Sequence, residues 1–372
     1  MTDWEKASIS KVFYDSGVDC YHLDCQKYLN EYFILSAAET RKLMNSPEVV
    51  GYEVYKSLVK PTSRMLKYLN ANNKISLANI LCILRGALNF PIEESCYKEN
   101  IHVHNISFLS CERVFTDDKV TGLDVNYRQL TVVPDGTLII GDIIASGDTI
   151  RKCLEYTLDF YLSNGKRLKN IVFFTIGAKK GIELFEKFTE QIRKEWPEFE
   201  GFIVIYYEGV FNCYEEGDKG VSGINRANID FYWKDGIISP EFHKETLSAQ
   251  APLFEKCTIY DGGARRYEIH EHIEEVLEFW NCILERADII DKQELLEEKL
   301  GHKLPISYED WIRCCHYEKL DCEETYLLYE QEQNYVKSLE NISLKEMANQ
   351  RIIEFTRELS TYILKNKGEK RK

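Results

Sequence analysis

Four short, β-rich apolar runs stand out along the chain: Ile80–Leu84, Leu138–Ile140 continuing to Ile143–Ile144, Ile171–Ile176, and Phe202–Tyr207. Alternate side chains of a strand face opposite ways, so an unbroken apolar run predicts a strand buried on both faces, as in a parallel sheet. Between the second and third runs, Ile150, Cys153, Leu154, Thr157, Leu158, Tyr161 and Leu162 recur at the spacing of one helical face, closed by Gly165. A second helix is predicted from Gly181 to about Trp196, carrying Ile182, Phe185, Phe188 and Ile192 before Pro197. Strand, helix, strand, helix, strand at these lengths is a βαβαβ unit. The predicted fold class is α/β, an open parallel twisted sheet flanked by helices. Upstream, Val49 to Asn70 reads as a helix interrupted at Pro61.

The pattern changes near residue 268. Ile273, Val276, Leu277, Trp280, Ile283 and Leu284 repeat with helical period, and helical composition continues to about Leu364, with Pro305 the one clear breaker. This predicts a domain over residues 1–267 (core about 50–210, a hood about 210–267) and a C-terminal α-helical extension over 268–372. Acidic residues outnumber basic ones eleven to three between Glu268 and Leu300, whereas Lys365–Lys372 forms a basic tail that reads as a solvated end. The extension is a candidate lid, homo-oligomerisation surface or partner site. Tyr326, Tyr329 and Tyr335 suit a partner surface, and their spacing suits core helices equally.

Composition narrows the function classes. A chain of 372 residues suits about two domains. Its 47 basic and 61 acidic residues leave a net charge of −14, which argues against a broad nucleic-acid face. No apolar run approaches the roughly 20 residues that span a bilayer, so no membrane partner is expected. The polar start, with Asp3, Glu5 and Lys6, does not read as a signal peptide, and a cytoplasmic location is expected. Twelve cysteines are scattered without a Cys-x-x-Cys pair, as reduced thiols used as small core hydrophobes would be. Cys20/Cys25 and Cys314/Cys315/Cys322 come nearest to zinc-ligand spacing but do not reach it. His102/His104 and His270/His272 share a side only if extended, and read as surface or packing histidines.

The segment Leu138–Ile150, LIIGDIIASGDTI, carries the chemistry. It predicts a buried strand ending in an acid, a short turn with Ser, Gly and Thr, and a helix start. Unpaired backbone N–H groups at a helix N-terminus attract anions; Ser146 and Thr149 add hydroxyls, and Gly147 permits close backbone approach. Asp142 stands at the carboxyl end of a strand, where open α/β sheets bind ligands. An ordinary turn with Ser146 or Asp148 as helix cap accounts for the same residues.

This segment resembles the phosphoribosyl-pyrophosphate motif of type I phosphoribosyltransferases: apolar strand, two acidic positions, apolar residues, then Thr/Ser-Gly-x-Thr/Ser. Upstream, Ile83-Leu84-Arg85-Gly86-Ala87-Leu88 resembles the strand and pyrophosphate loop of the family's uracil branch. Ile106–Arg113 and Val125–Leu130 resemble its mobile-loop arginine and return segment, and Ile171–Leu184 its next strand, turn and helix. The resemblance spans roughly Tyr52 to Tyr207. It implies that Ala145, Ser146, Gly147, Asp148 and Thr149 hold the 5′-phosphate and that Asp142 meets the ribose hydroxyls. Arg85, Gly86 and Ala87 would face the pyrophosphate, with Arg113 closing over it. Mg²⁺ is the implied cofactor, held through the pyrophosphate with Asp142 the candidate protein ligand. The implied partners are phosphoribosyl pyrophosphate and a small base or nucleotide.

The chain departs from the family pattern at two places: the first acidic position is Gly141, and Asp148 adds a charge inside the phosphate loop. Ala145 lacks the carboxylate of the hypoxanthine–guanine branch and matches the uracil and adenine enzymes. Two segments are candidates for a base hood, Asp235–Pro240 and Tyr260–Tyr267, the latter with Asp261, Gly262, Gly263 and Arg265. The implied activity is phosphoribosyl transfer to a pyrimidine or related base with release of pyrophosphate. Two other readings are a non-catalytic nucleotide- or donor-sensing regulator on the same fold, favoured by Gly141, and an interaction protein working through its helices.

Overall fold

The structure, a computed structural model, describes residues 4–369 apart from 117–118, 216, 227–229 and 256–264. By internal packing it divides into two compact units, Met1–Thr40 with Tyr55–Val210, and Arg41–Val54 with Phe211–Lys372.

The first unit holds a mixed α/β sheet built on the four apolar runs. Its strands are β1 (Ser8–Asp15), β2 (Val18–Asp24), β3 (Glu31–Ala37), β4 (Ala78–Ile83), β5 (Val103–Thr116), β6 (Lys119–Gln129), β7 (Gly136–Gly141), β8 (Leu168–Ala178) and β9 (Phe202–Cys213). Their spatial order is β1-β2-β3-β9-β8-β7-β4-β5-β6. β3–β9, β8–β7, β7–β4 and β4–β5 pair parallel. The flanking pairs β1–β2, β2–β3 and β5–β6 are antiparallel. β3 and β9 meet in the register Glu31↔Ile203 to Leu35↔Tyr207. Glu208, wholly buried, ties the ends of these strands by accepting from Ser36 Oγ at 2.6 Å and from the Ala37 N–H at 3.1 Å.

Helix α1 (Ala38–Asn45) follows β3, and α2 (Tyr52–Ala71) precedes β4. The interruption expected at Pro61 does not occur, since α2 runs through it. Leu58, Val59, Met65, Leu66 and Leu69 are buried on both sides of the proline, and continuous apolar burial offsets the lost hydrogen bond. After β4 come α3 (Phe90–Lys98), then α4 (Asp148–Ser163) and α5 (Lys180–Glu195) beside the strands they were expected to join. Ile150, Cys153, Leu154, Thr157, Leu158 and Tyr161 of α4 are buried, as their spacing requires.

The second unit contains β10 (Phe231–Ile238) and α6 (Pro240–Thr246). Five helices follow: α7 (Ile269–Arg286), α8 (Lys292–Leu300), α9 (Tyr308–Cys314), α10 (Cys322–Leu339) and α11 (Leu344–Glu369). The helical extension is therefore present, but the break between units falls near 210 rather than 267. The reason is packing: Leu247, Leu253 and Phe254 share one core with Ile273, Val276, Trp280 and Ile283 of α7. Among the described residues no helix is long and apolar enough to cross a membrane.

A buried carboxylate organises part of this unit. Glu332 Oε2 accepts from His243 Nε2 at 2.8 Å and from Trp311 Nε1 at 3.0 Å. His302 Nε2 lies 3.0 Å from Oε1, close enough for an ion pair though poorly angled for a hydrogen bond. Tyr335 is buried while Tyr326 is exposed, so the tyrosines of α10 divide between core and surface. His102 and His104 are exposed and edge-to-face; His272 is buried with Nε2 2.7 Å from the Pro47 carbonyl. Among the described residues no three His, Cys, Asp or Glu side chains group as metal ligands.

Candidate functional site

Strand order fixes where a crevice opens. From β4 the chain moves outward to β5, whereas from β7 it moves the other way to β8, so the order reverses between neighbours β4 and β7. Loops leaving such a pair diverge to opposite sides and leave a gap at the carboxyl edge. The two segments singled out by sequence lie at that edge.

After β4, the Gly86 N–H donates to the Ile83 carbonyl at 3.0 Å and closes a turn, in which Leu84 and Arg85 are exposed and joined by a cis peptide. After β7, the Asp142 N–H donates to the Phe174 carbonyl, and its own Oδ1 accepts from the Ile143 N–H at 2.9 Å. A Cβ on Gly86 would stand 2.8 Å from Asp142 Oδ1. The turn therefore abuts the carboxylate, and any larger residue at 86 would have to push it aside.

Ile144 then bridges to Gly177, and the chain turns through Ala145 and Ser146 to Gly147, whose φ of +83° is the left-handed conformation natural to glycine. Gly147 is the N-cap of α4, in place of the Ser146 or Asp148 cap that the sequence allowed. Ser146, Asp148 and Thr149 are exposed; Ser146 Oγ accepts only a long 3.5 Å bond from the Asp148 N–H. The N-cap has no side chain to cap α4, and the exposed Ser146 and Thr149 hydroxyls stand beside the helix's first N–H groups.

Sequence reasoning overlooked Asn89. Its Nδ2 donates to the Ile83 carbonyl at 2.8 Å, and its Oδ1 accepts from the Gly141 N–H at 3.2 Å, joining the ends of β4 and β7. An asparagine set between the apolar Leu88 and Phe90 in the sequence is the signal that could have found it. Asn89→Ala is expected to cost about 1–3 kcal/mol, the penalty of stranding buried backbone groups, measured by urea denaturation. A change under about 0.5 kcal/mol would show that the clamp is immaterial.

Gly141 has a structural cause. A Cβ there would lie 2.3 Å from the Leu88 carbonyl oxygen and 2.6 Å from its carbon. The backbone of the Ala87–Asn89 turn occupies the space that a first acidic side chain would need.

Other expected site residues lie elsewhere or outside the described atoms. Arg113 belongs to the β5–β6 hairpin, paired with Leu123, rather than to an irregular loop; its side chain and that of Ala87 are outside the described residues. Asp261, Gly262 and Gly263 also lie outside them. Arg265 does not present a free guanidinium: it is buried and donates to the carbonyls of Leu43 and Ser46 at the end of α1. Asp235–Pro240 is the end of β10 and the capped start of α6, with Ser239 Oγ accepting from the Phe242 N–H.

No protein-family model and no curated protein matches the chain. Solved structures do. A hypoxanthine phosphoribosyltransferase from Staphylococcus aureus is 15% identical over 32% of this chain and 64% of its own, with a TM-score of 0.25. This chain thus spans less than two thirds of that protein. The hypoxanthine-guanine enzyme of L. donovani is 17% identical over 36% and 78%, TM-score 0.27. The xanthine-guanine-hypoxanthine enzyme of Helicobacter pylori is 11% identical over 42% and 89%, TM-score 0.25. None of the three is a uracil enzyme, and likenesses of this size say nothing about activity.

Proposed function

We propose that the first unit binds phosphoribosyl pyrophosphate at the β4/β7 edge and transfers its phosphoribosyl group to a nitrogenous base, releasing pyrophosphate. The observation that carries this reading is the abutment of the Gly86 turn on Asp142, beside the uncapped start of α4. These three parts match the donor's three parts. The N–H groups and hydroxyls of residues 146–149 bind a terminal phosphate, Asp142 accepts from ribose hydroxyls, and the Arg85–Gly86 turn receives the pyrophosphate. Displacement at the anomeric carbon passes through an oxocarbenium-like state. It requires a fixed ring and stabilisation of the departing charge more than it requires a nucleophilic side chain. The exposed Arg85 supplies such a cation.

The residues fit a Mg²⁺ ion held mainly by phosphate oxygens and water, because Asp142 offers a carboxylate at the strand end and Mg²⁺ needs few protein ligands. When bound, the ion would neutralise the pyrophosphate charge. The acceptor we propose is a pyrimidine or related base, from the resemblance and from Ala145.

The test is thermal denaturation with donor and Mg²⁺. At about 100 times its dissociation constant the donor is expected to add roughly 2.7 kcal/mol to stability, and Asp142→Asn to remove most of that gain. No shift at millimolar donor would sink the reading. Gly141 favours a second reading, a sensor that binds donor or nucleotide without turnover. Donor binding with no pyrophosphate release across a panel of bases would select it.

A further inference from the structure

Two thiols meet behind the candidate site. Cys111 of β5 and Cys153 on the buried face of α4 hold their sulfurs 3.3 Å apart, and both are free. Cys111 follows an irregularity in the β5–β6 register, Ser110 facing Tyr127 and Cys111 facing Val125. It is half-buried, whereas Cys153 is wholly enclosed. A disulfide requires about 2.05 Å between sulfurs, so the two sulfurs need to approach by only about 1.2 Å more.

The two thiols are chemically unequal. The hydrogen bond from Cys153, reinforced by the charge of Lys152, holds the Cys111 thiol below its usual value despite partial burial. The same contact, then burial and the nearby charge of Asp142, push Cys153 up. The thiolate is the form that attacks a peroxide, so Cys111, the partly exposed sulfur, is oxidised first and Cys153 resolves it.

We infer that Cys111 and Cys153 form a redox modification site, which a hydroperoxide oxidises to a disulfide joining β5 to α4. In the first step the Cys111 sulfur takes the terminal oxygen of the hydroperoxide, the O–O bond breaks, and an alcohol (water, for hydrogen peroxide) leaves. In the second, the Cys153 sulfur attacks the sulfenic sulfur, the S–O bond breaks, and water leaves with the thiol proton. Two thiols lose two electrons and two protons, and one peroxide is reduced. The bond would tie the helix that starts at the loop 145–149 to the hairpin that carries Arg113. The chemistry stands independently of the proposed activity.

The test treats the full folded chain with hydrogen peroxide at low molar excess, blocks remaining thiols by alkylation, and maps peptides by mass. The expected result is a cross-linked peptide pair containing Cys111 and Cys153, about 2 Da lighter than its two reduced peptides together and separated by dithiothreitol. Cys111→Ser should abolish it. Cys153→Ala should leave a sulfenic acid on Cys111 that a 1,3-diketone probe traps. Should that buried substitution fail to fold, the wild-type map and Cys111→Ser decide alone. Recovery of both cysteines as alkylated thiols, at peroxide levels that consume the exposed Cys314 and Cys322, would overturn the proposal.

Discussion

Gly141→Asp, the change that restores a paired-acid motif, is expected to destabilise the first unit by about 3 kcal/mol or more instead of improving any site. The clash begins at the Cβ, so Gly141→Ala should lose nearly as much. That Cβ would meet the Leu88 carbonyl at 2.3 Å and the Ile92 methyl at 2.9 Å. A methyl can rotate away. The carbonyl cannot, because Asn89 holds its turn against both strands. Equilibrium urea unfolding of the two variants measures this directly, with the fold-preserving Asp142→Asn as control. If Gly141→Ala unfolds at the wild-type midpoint, the backbone is softer than argued and the glycine has another cause. If it does not, a second carboxylate is incompatible with this turn, and the ribose contact we propose falls to Asp142 alone.

The second large effect lies at Glu332. Glu332→Ala is expected to cost about 3–5 kcal/mol, because it leaves His243, His302 and Trp311 facing an empty buried site. Burial by itself would raise the Glu332 carboxyl, but the two histidines outweigh it and hold the group at about 2, against an ordinary 4.5. A folded value below the unfolded one stabilises the protein above about 4.5, and that contribution, about 3 kcal/mol, is lost as pH falls toward 2. His302 behaves oppositely. Burial pulls it down, yet contact with Glu332 and its charge carry it above the ordinary 6.5. Its contribution is complete below 6.5 and is lost as pH rises through the folded value. The cluster is therefore most stabilising between about 4.5 and 6.5. Urea midpoints across this range test the argument. Glu332→Gln should flatten both flanks, and a variant retaining both would exclude Glu332 as their source.

The parallel half of the sheet was legible because burial on both faces forces apolar runs: β8 and β9 contain theirs whole, β4 all but Leu84, and β7 Leu138–Ile140 but not Ile143–Ile144. The α4 stripe was legible for the same reason on one face. Strands β1 to β3 were overlooked: β1, SISKVFYD, mixes Ser8, Ser10, Lys11 and Asp15 with its apolar residues, and no helix separates it from β2. Asp15-Ser16-Gly17 between two β-rich runs was the available signal, with both Ser16 and Gly17 at positive φ. At the site, the motif located Asp142 and the loop after it correctly on a strand end and a helix start. It could not disclose that Leu88 fills the space beside Gly141, because backbone placement leaves no mark in residue identity. Arg265 misled for a related reason, since a buried guanidinium bonded to carbonyls and a ligand-facing one are spelled alike.

The parallel pairing of β3 with β9 also sets an order of events during synthesis. β3 is made early, yet the neighbour that completes it on one side, Ile203 to Tyr207, emerges some 170 residues later. At ribosomal rates of about 5–20 residues per second, that edge waits roughly 10–35 s with its N–H and C=O groups unpaired. The apolar segment Tyr32–Leu35 is then a bare template for another nascent chain, and the protein's yield in cells should depend on whatever shields it until β9 arrives.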